Sequence, residues 1–176
     1  MRGLPAGAPR ASPERGTRGL ASHLPREGLL RGGRIGIHRY VVTYLVDANV
    51  LSEATKPAPD AKALDWLRRH EREIAIDPII LGEIQFGILL LPAGKRRQRL
   101  ARWFTEGVGR IVCLPWEAST GLRWAKLLAA LRASGQSMPI KDSMIAATAL
   151  THGLTIATRN DRDFAKARVA VVNPFA

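Results

Sequence analysis

Leu45-Val46-Asp47-Ala48-Asn49-Val50-Leu51-Ser52 decides how this chain is read. The run that leads into it, Tyr40 to Val46, is β-branched and aromatic, with Thr43 its one polar interruption, which suits a central strand covered on both faces. It ends on a carboxylate. Asn49 to Glu53 then reads as the start of a short helix, with Asp47 or Asn49 as its N-cap. Ligands of open parallel sheets sit beyond the carboxyl ends of the strands, so Asp47 stands where chemistry is expected.

Downstream, strands and helices alternate. Ala61 to His70 reads as a helix with Leu64 and Leu67 on one side and Trp66 beside them, and Ile74 to Ile76 as a short strand. Asp77-Pro78 opens a helix, since proline suits a first turn, and Pro92-Ala93-Gly94 stops it after about Leu91. Lys95 to Glu106 is a basic amphipathic helix, and Arg110 to Leu114 a strand. Trp116 to Ala133 is a long helix whose stripe Trp124, Leu127, Leu128 and Leu131 follows helical spacing. Pro139 to His152 is another, closed by Gly153, and Leu154 to Ala157 and Val169 to Val172 are the last strands. This order implies an α/β fold with a parallel sheet covered by helices.

Four further acids interrupt or border apolar runs. Glu83 shares a helix side with Ile79, Ile80, Phe86, Gly87 and Leu90, which predicts that it lies on the core-facing stripe. Asp142 precedes Ile145, Ala146 and Ala149, and Asp161 and Asp163 follow the strand that ends at Ala157. Each acid has a plain alternative: N-caps for Asp47 and Asp161, a surface position for Asp163, an ion pair for Glu83, and the helix dipole for Asp142. Together they point to one crevice. Two carboxylates about 4 Å apart repel by roughly 4 kcal/mol at an effective dielectric of about 20, and burial adds a hydration penalty. A divalent cation offsets both. An all-oxygen donor set favours Mg2+ or Mn2+ over zinc, because His23, His38, His70 and His152 are scattered and Cys113 is the only cysteine. Cys113 itself is expected to be a small buried hydrophobe. The chemistry expected of such a site is phosphodiester hydrolysis.

Composition bounds the rest. The 176 residues allow one sizeable core, and no apolar run approaches the roughly 18 residues of a membrane span. A reducing, cytoplasmic setting fits the single cysteine. Net charge is +12, which favours a polyanionic or acidic partner. Residues 1–40 hold eight arginines against Glu14 and Glu27, so half of that charge lies in a stretch rich in Gly, Pro, Ala and Ser. They are expected to be a disordered basic extension, with an RNA-binding tail and an over-long start site, the real one near Val41 or Val42, as further readings. No apolar segment of a signal peptide follows the positive charges. Residues 41–176 form the domain.

The ordered set Leu45 to Ser52, Gly82-Glu83-Ile84-Gln85-Phe86-Gly87, Asp142-Ser143-Met144-Ile145-Ala146-Ala147-Thr148-Ala149 and Thr158-Arg159-Asn160-Asp161-Arg162-Asp163-Phe164, with the closing Val171 to Phe175, resembles the PIN-domain nucleases. It is most similar to the VapC-like toxins of toxin–antitoxin pairs, over residues 43–176. The resemblance implies a three-layer α/β/α fold, Mg2+ or Mn2+ dependence, endoribonuclease activity on RNA, a homodimer and a small antitoxin partner. It implies Asp47 and Asp142 as principal metal ligands, with Glu83 completing the set directly or through water. Asp163 matches the usual acid of the final motif, and Asp161 stands as the alternative. Asn49, Thr158 and Asn160 would be polar supports.

Lys95, Arg96, Arg97, Arg99 and Arg102 form a candidate phosphate-tracking surface, or a plain solvated helix face. Trp103 and Phe104 are expected to pack inward or at a dimer interface, and Trp66, Trp116 and Trp124 in the core. Two rival functions remain. One is a phosphatase or phospho-receiver domain with Asp47 as nucleophile, although Asn49 replaces its second acid and no well-placed lysine follows a late strand. The other is a non-catalytic nucleic-acid-binding module. The sequence has no Walker A loop, no Gly-x-Ser-x-Gly elbow and no His-Glu-x-x-His.

Overall fold

Tyr44–Val46 forms β1, the middle strand of a five-stranded parallel sheet. The computed structural model describes residues 41–176, and the readings of residues 1–40 lie outside the described residues. Ile74–Ile76 (β2) and Thr155–Ala157 (β4) flank β1, with Leu45 opposite Ala75 on one side and Ile156 on the other. Val112–Cys113 (β3) and Val171–Val172 (β5) are the edges, giving the order β3-β2-β1-β4-β5. Helices cover both faces in the expected three-layer arrangement, and β2 is accordingly buried along its whole length.

The helices are α1 (Ala48–Leu51), α2 (Ala61–Arg69), α3 (Pro78–Leu89), α4 (Lys95–Glu106), α5 (Ala118–Ala133), α6 (Ile140–His152) and α7 (Asp161–Ala165). A 3-10 turn, Ser52–Thr55, continues α1. Local chemistry sets the boundaries. Asp60 caps α2 by accepting from the N–H groups of Lys62 and Ala63, and Asp77 caps α3 ahead of Pro78. Gly153, at φ 65°, ends α6 in the left-handed conformation that glycine adopts without strain. Leu45, Val46, Ile76, Ile80, Ile145, Ile156 and Phe164 make up the centre of the core, at about 1.5–3 kcal/mol for each large apolar side chain buried.

Several expectations change. The strands are two or three residues long; β1 begins at Tyr44, and a 3-10 turn at Val108–Arg110 keeps Arg110 out of β3. Helix α7 was not expected, because five residues are too few to show a period. Cys113 is exposed, not buried, because β3 is an edge strand. The core stripe of α3 is Ile80, Ile84 and Ile88, so Glu83 lies beside it and not on it. Phe86 and Leu90 are 63% and 69% exposed, and Gly87 faces open space.

The chain leaves β1 toward β2 and β3, then crosses back to place β4 on the other side of β1. That reversal opens a crevice at the carboxyl ends of β1 and β4.

Candidate active site

Asp47 emerges from β1 into this crevice, and Thr158 follows β4 beside it. The Thr158 hydroxyl donates to Asp47 Oδ2 over 2.6 Å, and Asn49 Nδ2 donates to the same oxygen over 2.6 Å. Thr158 Oγ1 in turn accepts from Asn49 Nδ2 and from the backbone N–H of Asn160, each at 3.0 Å. Asn49 Oδ1 accepts from the backbone N–H of Arg159. The expected polar supports therefore form one network across the two strand ends. Asn160 contributes through its backbone. Asp47 occupies the N-cap position of α1, but its side chain makes no capping bond.

The other acids approach from three further elements: Glu83 from α3, Asp142 from the first turn of α6, and Asp163 from α7. Burial pushes the Asp47 carboxyl above its ordinary value; the Thr158 hydrogen bond draws it back, and the charge of Glu83 raises it again. Burial likewise raises Asp142, and the negative charges of Asp47, Asp163 and Glu83 add to it. Four expected site acids are thus electrostatically coupled around Asp142. Asp161 is not among those acting on Asp142 or Asp47; it is exposed and accepts the backbone N–H of Arg162.

Three groups near the site were not among the sequence candidates. Lys141 on α6 forms an ion pair with Glu83 on α3. Asp77, at the end of β2, is fully buried; its Oδ2 accepts from Thr148 over 2.8 Å and its Oδ1 from Ile80 N–H over 2.9 Å. Burial raises the Asp77 carboxyl too, against its hydrogen bonds. Its signal was available: Ile74-Ala75-Ile76-Asp77 repeats the pattern of Tyr44-Leu45-Val46-Asp47, an apolar strand ending on an acid. Glu53, also buried, joins Lys56 and Arg159, and the Arg159 guanidinium lies 3.7 Å from the centre of the Phe175 ring.

Lys95, Arg96 and Arg99 are exposed along α4, whereas Arg97 is half-buried with Nη1 directed at the Leu91 carbonyl. Arg99 also lines a cavity of about 380 Å³ with Lys56, Thr55 and Trp103. Trp103 and Phe104 pack inward, as expected. The Trp116 and Trp124 indoles donate to Thr148 and Ser143 on α6.

Fold and site define a parallel α/β domain with an acidic crevice at its switch point. The chain belongs to the PIN domain family, whose match spans residues 44–170. It is 34% identical over 137 residues to VapC ribonuclease Y4jK of Sinorhizobium fredii, covering 74% of this chain and 96% of that one. It is 33% identical to Toxin FitB of Neisseria gonorrhoeae, covering 74% and 97%. The crystal structure of FitAcB from Neisseria gonorrhoeae matches with a TM-score of 0.69 at 31% identity, over 76% of this chain and 99% of that one.

Proposed function

We propose that this protein is a metal-dependent endoribonuclease acting as the toxin of a toxin–antitoxin pair. The observation that carries the reading is the Asp47 carboxylate at the end of the central strand of a PIN domain, held by Thr158 and Asn49; the charges of Glu83, Asp142 and Asp163 acting within the same set of acids support it. Relatives named ribonuclease and toxin support it.

The donor chemistry fits a hard divalent ion: carboxylate oxygens that repel one another, two of them with raised proton affinity. Among the described residues no group of three converges tightly enough to grip an ion, and Glu83 is engaged by Lys141. Asp47, Asp142, Glu83 and Asp163 would hold Mg2+ or Mn2+, with Asp163 taken over Asp161 as the fourth acid. Such an ion, when bound, polarises the phosphoryl oxygen and acidifies a water. The protein's own part is orientation. Thr158 and Asn49 fix one oxygen of Asp47, and Asn49 ties the strand end to the loop that leads to α7. A phospho-aspartate mechanism fits less well, since Asp47 faces like charges that would repel an incoming phosphate.

RNA is the proposed substrate, with α4 tracking its phosphates. A small antitoxin is the proposed partner, as structural relatives are toxin–antitoxin complexes. Homodimer formation and a cytoplasmic setting complete the reading. Exposed Phe86 and Leu89 on α3 and Leu90 at its C-cap support a protein-contact surface near Glu83, and no described helix is long and apolar enough to cross a membrane.

The test is cleavage of RNA by the purified protein in EDTA and after addition of Mg2+ or Mn2+. Activity should be absent in EDTA, return with metal, and be lost in folded Asp47→Ala and Asp142→Asn proteins. Undiminished cleavage by both variants would reject the assignment.

A further inference from the structure

Asp77 is completely buried, yet the proposed chemistry does not use it. Its surroundings form a hydrogen-bonded chain through Thr148, whose hydroxyl has two acceptors within reach, Asp77 Oδ2 at 2.8 Å and the Met144 carbonyl at 3.3 Å. The Trp116 indole, which can only donate, donates to Thr148 Oγ1 over 3.0 Å. Asp77 Oδ2 is the nearer acceptor for the Thr148 hydroxyl, while Asp77 Oδ1 caps α3 at Ile80. Thr148 is also fully buried, so a broken link would leave Asp77 Oδ2 without a partner and without water, while Thr148 could turn to the Met144 carbonyl.

The same two helices meet a second time where Lys141 pairs with Glu83. From Asp77 to Glu83 is about 9 Å of axis along α3, and from Thr148 back to Lys141 about 10 Å along α6. The partners come in opposite chain order on the two helices: α3 and α6 pass antiparallel, joined at two points, the start of α3 against the interior of α6 and the middle of α3 against the start of α6. The first link is buried, and the second is a more exposed ion pair. A slip of one residue would turn Thr148 about 100° from Asp77 and carry Asp142 away from Glu83.

We propose that Asp77 is a positioning residue: through Thr148 it fixes the register of α6 against α3, and with it the spacing between Glu83 and Asp142. This rests on the reading that those two acids share one metal site. Capping of α3 alone would explain Asp77 without any link to α6, and Asp77→Ser separates the two roles. The shorter serine hydroxyl could still cap α3 but would not reach Thr148.

The register can be read without metal or RNA. Nitroxide labels are placed on Glu83→Cys and Lys141→Cys in a Cys113→Ser background, and their dipolar broadening is compared with that after adding Asp77→Ser or Thr148→Val. The expected result is unchanged helical circular dichroism with broadening reduced at least twofold in both. Asp77→Asn should keep the broadening, because its amide can cap α3 through Oδ1 and donate to Thr148 through Nδ2. In the unlabelled protein, Asp77→Ser and Thr148→Val should each weaken Mn2+ binding, measured by calorimetry, by about 10–100-fold, the range for residues that orient metal ligands. The double variant should be no weaker than either single one. RNA cleavage should lose kcat with KM unchanged. Unchanged broadening in folded Asp77→Ser and Thr148→Val proteins overturns the proposal and leaves Asp77 a helix cap. Reduced broadening in the labelled protein, together with an unlabelled parent that neither binds Mn2+ nor cuts RNA, sustains the register and removes the functional reading instead.

Discussion

Lys141 and Glu83 form an ion pair between α6 and α3, so the acidic crevice carries a cation of its own next to Asp142. Glu83 raises the proton affinity of Lys141 through its hydrogen bond and its charge, and Asp142 and Asp47 add to the effect. The ammonium thus lowers the repulsion among the carboxylates while occupying one that a metal ion would use.

Lys141→Met should therefore bind Mn2+ several-fold more tightly than the parent protein, because Glu83 is released and the negative potential deepens. In EDTA the same variant should melt at a lower temperature. Calorimetric titration and thermal denaturation check the two halves; weaker Mn2+ binding would show that Lys141 supports the ion and does not compete with it.

Asp142 makes stability depend on pH. Its folded value is raised by burial and by Asp47, Asp163 and Glu83, so its contribution is full below the ordinary carboxylate range and is lost as pH rises through the folded value. Asp142→Asn should accordingly be more heat-stable than the parent at about pH 7.5 in EDTA, and the advantage should shrink as the pH is lowered toward about 4. An advantage that grows on acidification would contradict the coupling.

Thr158→Val takes the hydroxyl donor from a buried carboxylate, a change worth about 1–3 kcal/mol and a fall of roughly 2–4 °C in melting temperature per kcal/mol. Thr158→Ser keeps the donor and should recover most of the loss. Thermal melts of the two variants, with RNA cleavage beside them, make the comparison; a Thr158→Val protein as stable as the parent would mean that Asn49 alone holds Asp47 Oδ2.

On α4, Arg96→Glu with Arg99→Glu should weaken RNA binding and flatten its dependence on salt, by about one unit of log–log slope for each phosphate no longer neutralised. Binding measured over a range of salt concentrations decides between a phosphate-tracking helix and a solvated face. An unaltered slope would favour the solvated face.

The central strands and the long helices were legible because each combines an apolar period with a recognisable start or stop. Asp77-Pro78 began α3, and Gly153 ended α6. Asp47 could be singled out because it ends the central strand, where ligands of open parallel sheets sit. Asp77 has the same pattern but was absorbed by its role as a helix start, and only its hydrogen bond with Thr148, 71 residues away, reveals more. Glu83 was selected through a stripe that the fold does not bury. Helical spacing shows which residues share a side, whereas packing of α3 on its neighbours chooses which side is covered, and it chose Ile80, Ile84 and Ile88. Between Asp161 and Asp163 the spacing alone offers no ranking. In the fold Asp161 is exposed, whereas Asp163 is half-buried and its charge acts on Asp142.

The edge position of β3 leaves the chain's one thiol open to reagents, while partial burial and the nearby Asp77 charge keep Cys113 protonated beyond its ordinary range. A thiol in that state is slow to alkylate or oxidise at neutral pH, since the thiolate is the reactive form. Cys113 is thus a dormant attachment point: dyes or cross-linkers should couple there selectively once the solution is made alkaline, one per chain.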